Sequence, residues 1–290
     1  MESNNMVSSA AMTEELKQKY ENLKTYFKNL GSAVIAFSSG VDSTFMLKAA
    51  YEALGKNIIA VTACSHFFPV REKDEAEDFC KKLGVEHIFT DIDEMSIPGV
   101  SANPKNRCYL CKHALFEKFL KIAEEHDFAC VCEGSNLDDN GDYRPGLKAI
   151  AELGIKSPLR ECGFWKSEIR IISKELGLET WKKPSYACLA SRFVYGESIT
   201  VEKLNMVDKA EQFLINMGFV QERVRIHSSG NAENSAVIAR IEVNPDQFEL
   251  LLKNHEKITE EFKKIGFNYV SMDLQGFRTG SMNETLNKSS

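Results

Sequence analysis

Ala33-Val34-Ile35-Ala36-Phe37-Ser38-Ser39-Gly40-Val41-Asp42-Ser43-Thr44 is the stretch that decides the fold of this chain. Its apolar beginning reads as a buried parallel strand, and the strand ends in a turn rich in hydroxyls and glycine. From Ser43 to Leu54 the apolar positions take helical spacing. A helix that starts straight after such a turn aims several unpaired backbone N–H groups at one place, with the positive end of its dipole behind them. Ser38, Ser39 and Ser43 add hydroxyl donors, and Gly40 lets a ligand approach the backbone closely. The segment predicts a site for a phosphate-like anion; an ordinary capped helix, which Ser and Asp also favour, is the alternative.

The common phosphate loop G-x-x-x-x-G-K-[ST] carries a lysine, and here the nearest, Lys48, sits a turn inside the helix. The dinucleotide fingerprint G-x-G-x-x-G is also missing. Ser38-Ser39-Gly40-Val41-Asp42-Ser43 instead resembles the S-G-G-x-D-S loop of the PP-loop ATP pyrophosphatase superfamily. That resemblance implies a site for the β and γ phosphates of ATP, transfer of AMP to a substrate oxygen and release of pyrophosphate. Ser39 departs from the pattern, which has glycine there: if the position needs a positive φ, serine is strained, and otherwise it supplies another donor.

Outward from this loop, strands are expected at 57–63, 87–91 and 128–133, alternating with helices at 70–83 and 107–127. This predicts an α/β fold, a parallel sheet flanked by helices of the PP-loop or adenine nucleotide α-hydrolase-like kind. A long polar stretch from Gly134 to Gly146 follows the last strand, at the carboxyl end where open α/β sheets bind ligands. A helix at 165–176 and a loop at 179–195 lead to a change of character. Helix, strand, strand, helix and strand then run from Thr200 to Leu274, a smaller C-terminal α+β domain. The expected organisation is a disordered leader over 1–14, a PP-loop domain over 15–196, and a substrate or oligomerisation domain over 197–290.

The 290 residues suffice for two cores. No apolar run reaches the ~20 residues that span a bilayer, and no secretory signal pattern opens the chain. A net charge of −6, from 36 basic and 42 acidic residues, speaks against a large nucleic-acid footprint. Eight cysteines without a secretory signal suggest a reducing compartment, the cytoplasm, in which they act as ligands, nucleophiles or small core residues.

Among them, Cys108 and Cys111 form a C-x-x-C that fits a redox pair, half a zinc site or part of an iron–sulfur site. Cys130 and Cys132 alternate along an apolar strand and read as small buried hydrophobes, as do Cys64 and Cys80. Cys162 lies in a loop before Gly163. Cys188 occupies an irregular loop with Arg192 four residues on, a cation that favours thiolate; a buried loop thiol is the other reading.

Four further motifs occur together: Asp142-Tyr143-Arg144-Pro145-Gly146-Leu147-Lys148-Ala149, Ala187-Cys188-Leu189-Ala190-Ser191-Arg192, Arg223-Val224-Arg225-Ile226-His227, and Asp273 to Asn283. With the loop, they resemble the LarE family, the ATP-dependent sulfurtransferases of nickel-pincer nucleotide and lactate racemase maturation, from about Phe37 to Thr285. The resemblance implies a pyridinium-3,5-dicarboxylate mononucleotide substrate, ATP and Mg2+, a sulfide donor and a homo-oligomer, with no membrane and no nucleic acid. It also implies one of two sulfur sources. Either Cys188 gives up its own sulfur, or Cys108, Cys111 and Cys188 hold a [4Fe-4S] cluster; the C-x-x-C makes this chain similar to the cluster branch.

The same resemblance implies roles for single residues. Ser38, Ser39, Gly40, Asp42 and Ser43 form the pyrophosphate cradle, with Asp42 the magnesium candidate. Asn136, Asp139 and Arg144 come from the long loop, and Arg144 either steadies the transferring AMP or makes a loop salt bridge. Arg223 and Arg225 alternate on a strand and so share a face, suited to a substrate phosphate or else a solvated sheet face. Arg192 is a weaker third, and Glu211, which by itself reads as plain helix surface, matches a family site residue. A PP-loop enzyme that thiolates tRNA is the alternative function, and it would display a basic RNA surface.

Overall fold

A computed structural model of the chain describes residues 12–141, 145–185, 187–229 and 236–285. Most of the expected leader (residues 1–11) and Asp142, Tyr143 and Arg144 of the long loop lie outside them. Two compact units are formed, one from residues up to 65, 70–92 and 106–186, the other from 66–69, 93–105 and 187 onward.

In the first unit, strands β1 (Ala33–Ala36), β2 (Ile58–Cys64), β3 (Glu86–Asp91) and β4 (Val131–Cys132) form a parallel sheet in the order β3-β2-β1-β4. Helices α1 (Glu14–Leu30), α2 (Val41–Leu54), α3 (Val70–Leu83), α4 (Arg107–Glu125), α5 (Pro145–Glu152), α6 (Pro158–Glu161) and α7 (Lys166–Glu175) accompany it. The strands are apolar on both sides because both faces are covered. Alternate residues separate cleanly: Ala33, Ile35, Ile58 and Ala60 join Leu23, Phe27, Phe45 and Leu47 in one core. Val34, Ile59, Val61 and Val131 join Phe116, Phe119 and Ala123 of α4 in another. The expected strand over 128–133 pairs only through Val131 and Cys132, opposite Val34 and Ile35. Helices α1, α5 and α6 are additions to the sequence reading.

Strand β1 has β2 on one side and β4 on the other, so the chain winds outward in both directions from it. The carboxyl ends of β1 and β4 therefore flank a topological switch point, the place where open α/β sheets leave a crevice for ligands. The Ser38–Ser43 loop and the segment after Cys132 both start there.

The second unit contains helix α8 (Val201–Asn216), strands β5 (Glu222–Ser229) and β6 (Ala236–Val243), helices α9 (Phe248–Lys253) and α10 (His255–Ile265), and strand β7 (Tyr269–Met272). β5 and β6 are antiparallel and β6 and β7 parallel, giving a small mixed sheet. The second helix expected between Thr200 and Leu274 is a 3-10 turn (Pro245–Gln247) followed by α9 and α10, which break at Asn254. Val224 and Ile226 are buried, as are Leu204, Val207, Ala210 and Leu214 of α8. None of the described helices is long and apolar enough to cross a membrane.

Phe45 is fully buried, with the rings of Tyr20 and Phe164 each at 5.5 Å between centroids. Phe45→Ala should cost about 3–5 kcal/mol, read from denaturant unfolding, because the cavity lies against the helix that carries the loop.

Candidate functional site

The first intrahelical bond of α2 runs from Thr44 N–H to Gly40 O at 2.9 Å. The N–H groups of Val41, Asp42 and Ser43 precede it and have no acceptor within the helix. No side chain caps this end: Gly40 stands at the N-cap with φ −77° and ψ 168°, a conformation open to any residue. Glycine is thus not demanded by the backbone. A Cβ there would stand 3.5 Å from Ser38 Oγ and 3.9 Å from Ser43 Oγ, filling the space that the hydroxyls border. Ser38 and Ser43 are joined through their oxygens at 3.2 Å, and Ser38 N–H donates to Ser43 Oγ. The start of α2 is thus lined by backbone N–H groups and two serine hydroxyls.

Gly134, just after β4, does carry a steric requirement. A Cβ there would come within 3.3 Å of Ser43 N and 3.4 Å of Asp42 Cβ, so the loop after β4 lies directly against the start of α2.

Ser39 adopts φ +50°, so the position does require the left-handed region, and serine occupies it at a cost of about 1–3 kcal/mol. Its hydroxyl donates to Glu72 O at 3.2 Å, and the residue is 2% exposed. The extra donor expected from Ser39 is therefore spent on α3.

Asp42 is held on both oxygens. Asn136 Nδ2 donates to Oδ1 at 3.2 Å, and the ammonium of Lys166 pairs with Oδ2. Asn136 in turn donates its N–H to Asp139 Oδ2 at 2.9 Å, so Asp42, Asn136 and Asp139 form one constellation across the switch point. Burial raises the Asp42 pKa above the ordinary carboxylate value; Lys166 opposes this and nearby Asp139 adds to it. Lys166 was missed by sequence reading. The signal was available: it is the first residue of α7, where the helix dipole disfavours a cation unless an anion faces it. Also missed was Glu133, buried and accepting from Ser135 Oγ at 2.7 Å and Ser157 Oγ at 2.6 Å.

Cys108 and Cys111 lie three residues apart at the start of α4, half-buried, and thus on one face of the helix. The buried Arg107 guanidinium donates to Cys108 Sγ at 3.6 Å. The donor set fits two ligands of an iron–sulfur cluster. Cys188 belongs to the second unit, and among the described residues no three His, Cys, Asp or Glu side chains gather closely enough to hold a metal ion. The remaining thiols resemble core: Cys80 and Cys132 are buried, and burial pushes Cys80 up to about 12 and Cys162 up to about 11. Cys130 and Cys132 share a face, as expected, with sulfurs 4.0 Å apart.

In the second unit, Glu211 is wholly buried rather than on the helix surface. Arg192 donates Nε and Nη2 to its two oxygens at 2.8 and 2.7 Å. Burial would raise the Glu211 pKa, but Arg192, together with Arg223 and the Val224 N–H, outweighs it and leaves the carboxyl below its ordinary value. Arg192 Nη1 donates to the carbonyls of Ala187 and Cys188 at 2.6 and 3.1 Å, so the ion pair anchors the cysteine loop. Arg223 and Arg225 share one face of β5, yet that face is not solvated: they are 3% and 5% exposed. Arg225 donates Nε and Nη2 to Glu242 and Nη1 to Ser191 O, and Glu242 accepts from Ser281 Oγ at 2.8 Å. Burial and the neighbouring Arg192 push Arg223 down to about 10, and its guanidinium lies over Phe277. The terminal motif thus closes over a buried charged layer that periodicity alone could not reveal. Arg144 lies outside the described residues.

A parallel sheet whose central strand feeds a serine-rich turn and an uncapped helix N-terminus at the switch point defines a PP-loop nucleotide-binding protein. No family model matches the chain. It is 36% identical over 274 residues, 94% of its length and 96% of the relative's, to the pyridinium-3,5-bisthiocarboxylic acid mononucleotide synthase of Lactiplantibacillus plantarum. An uncharacterized protein of Synechocystis sp. is 41% identical over 94% of this chain and all of its own. A glutamine-hydrolyzing GMP synthase component from Methanocaldococcus jannaschii is 28% identical over 68% of this chain and 64% of its own. The chain belongs to the LarE family, the pyridinium-3,5-bisthiocarboxylic acid mononucleotide synthases, and is an ATP-dependent enzyme.

Arg192→Met should lower stability by about 3–5 kcal/mol in denaturant unfolding, because it leaves Glu211 charged and buried without its partner. Protonation of Asp42 would take away a carboxylate that Mg2+ accompanying ATP would need, and its raised pKa, caused by burial, moves that loss to higher pH than an ordinary carboxylate would set. ATP binding should therefore weaken early on acidification. The residual binding of Asp42→Asn should lack this acid limb in a titration of ATP affinity against pH.

Proposed function

We propose that this protein uses ATP to adenylate the carboxylates of pyridinium-3,5-dicarboxylate mononucleotide and then replaces the activated oxygen with sulfur, as a step of nickel-pincer cofactor biosynthesis. The observation that carries the reading is the cradle of Ser38, Gly40 and Ser43 at the uncapped start of α2, with Asp42 and Lys166 beside it. The synthase of 36% identity supports the substrate class.

A carboxylate resists attack by sulfur because oxide is a prohibitive leaving group. In the adenylation step a carboxylate oxygen attacks the α-phosphorus of ATP, the bond to the β-phosphate oxygen breaks, and pyrophosphate departs. Sulfur then attacks the acyl carbon and AMP leaves with the activated oxygen. The backbone N–H groups at the start of α2 and the Ser38 and Ser43 hydroxyls hold the departing pyrophosphate. Asp42 and Asp139 are the carboxylates for Mg2+, which prefers carboxylate and phosphate oxygens. Lys166, which pairs with Asp42 in the structure, would then be the cation for the outer phosphates. Arg144 is assigned to the charge that develops on the transferring AMP.

Arg223 and Arg225 are assigned to the substrate phosphate, which would compete with Glu242 for Arg225. Arg192 and Glu211 act one step away, by fixing the backbone of Cys188. Cys108, Cys111 and Cys188 are proposed to hold a [4Fe-4S] cluster, a reading supported by the C-x-x-C on one helix face and the family resemblance. When bound, the cluster supplies a sulfur nucleophile at neutral pH that a sulfide donor can replenish.

The test is product analysis with the anaerobically purified protein, ATP and the dicarboxylate mononucleotide. AMP and pyrophosphate are expected, with thiocarboxylate formed over many turnovers; ADP and phosphate contradict the reading. Cys108→Ala and Cys111→Ala should each lose bound iron and acid-labile sulfide while still forming AMP and pyrophosphate. Undiminished multiple-turnover sulfur transfer in both variants refutes the cluster. A single turnover that strips the Cys188 sulfur, seen by mass spectrometry, replaces it with sacrificial donation.

A further inference from the structure

Lys183 has no part in the chemistry above, yet its side chain reaches the phosphate loop. It follows the 3-10 turn Glu179–Lys182, and its ammonium pairs with Glu75 of α3 while donating to Ser39 O at 3.1 Å and Ser39 Oγ at 3.4 Å. Its own backbone is pinned in turn. Arg170 of α7 donates Nη2 to Lys183 O at 2.8 Å and Nη1 to Trp181 O. The lysine is thus fixed at both ends, by Arg170 on its main chain and by Glu75 on its head group.

What it holds is the one strained residue of the loop. Ser39 sits at φ +50°, where a residue with a Cβ does not rest unaided, and its hydroxyl is tied to Glu72 O. The peptide that joins Ser39 to Gly40 is planar and trans, so its carbonyl and its N–H point in opposite directions. Drawing Ser39 O toward Lys183 turns Gly40 N–H the other way, away from the lysine. Release of the carbonyl would let Ser39 leave the strained left-handed region, and the accompanying change in its ψ and in φ of Gly40 would re-aim the peptide that follows and take its N–H from that place. A glycine at position 39 has no such strain to relieve, since glycine occupies the left-handed region freely, and so depends less on the tether.

We infer that Lys183 is a positioning residue for ATP: together with Glu75 it locks the Ser39–Gly40 peptide so that the loop keeps an N–H toward its anion. The inference rests on the reading of Ser38 to Ser43 as the ATP phosphate site.

The experiment is a double-mutant cycle on the full chain with Lys183→Met, Ser39→Gly and the pair, reading the MgATP dissociation constant by calorimetry beside the thermal midpoint. Lys183→Met alone should weaken MgATP about tenfold, and by less than about threefold when Ser39→Gly is also present, a coupling of the size expected for contacting residues. Lys183→Arg should recover most of the affinity. Where Lys183→Met lacks a cooperative thermal transition, Lys183→Gln is read in the same cycle. An equal loss in both backgrounds overturns the inference, because a lysine that touched ATP or only supported the fold would not depend on residue 39. Unchanged affinity overturns it as well. A wild-type protein that binds MgATP but forms no AMP fails the proposed function and leaves the cycle decisive. One that does not bind MgATP fails both.

Discussion

Three backbone N–H groups left open at the start of α2 are the constraint around which the first unit is arranged. They are useful only because the helix begins directly after the central strand, at the point where β2 and β4 diverge. Everything nearby serves that end. Gly134 lets the loop after β4 close against the helix start, and Asn136 from that loop bonds Asp42 in the helix's first turn. Lys166, placed at the unfavourable end of its own helix, is held there by Asp42. The site is therefore a balance of charge as much as a shape. An anion at the cradle and a cation at Asp42 would each take over a bond that the protein otherwise makes internally.

The second unit solves a different problem, which is how to fix an irregular cysteine loop. Two buried guanidinium–carboxylate pairs, Arg192 with Glu211 and Arg225 with Glu242, do so by extending donors to the carbonyls of Ala187, Cys188 and Ser191. A buried ion pair adds little net stability compared with apolar packing. Its value here lies in direction: a guanidinium offers more donors than one carboxylate can use, and the surplus orients backbone oxygens.

The sheet and its helices were legible because β1 and β2 are apolar on both faces and α2 and α3 keep a helical period. The serine-rich turn into an uncapped helix was legible for the same local reason, since Ser38 to Ser43 are contiguous. Ser39 was legible only as a choice between strain and an extra donor, and φ +50° decides for strain. Lys166 and Lys183 were not, because each meets its partner in the loop across 124 and 144 residues of sequence. Glu211 and Arg223 were misleading for a related reason. Charged residues on a helix or strand read as surface until the opposite charges that accompany them underground are known.

The central claim is that a carboxylate oxygen is activated by AMP and leaves with it. Its most direct measurement is isotopic: mononucleotide labelled with oxygen-18 in its carboxylates, turned over with ATP and a sulfide source, followed by mass analysis of the nucleotide products. The account predicts one labelled oxygen in AMP for each thiocarboxylate formed. Label in inorganic phosphate, or unlabelled AMP beside thiocarboxylate product, would contradict it.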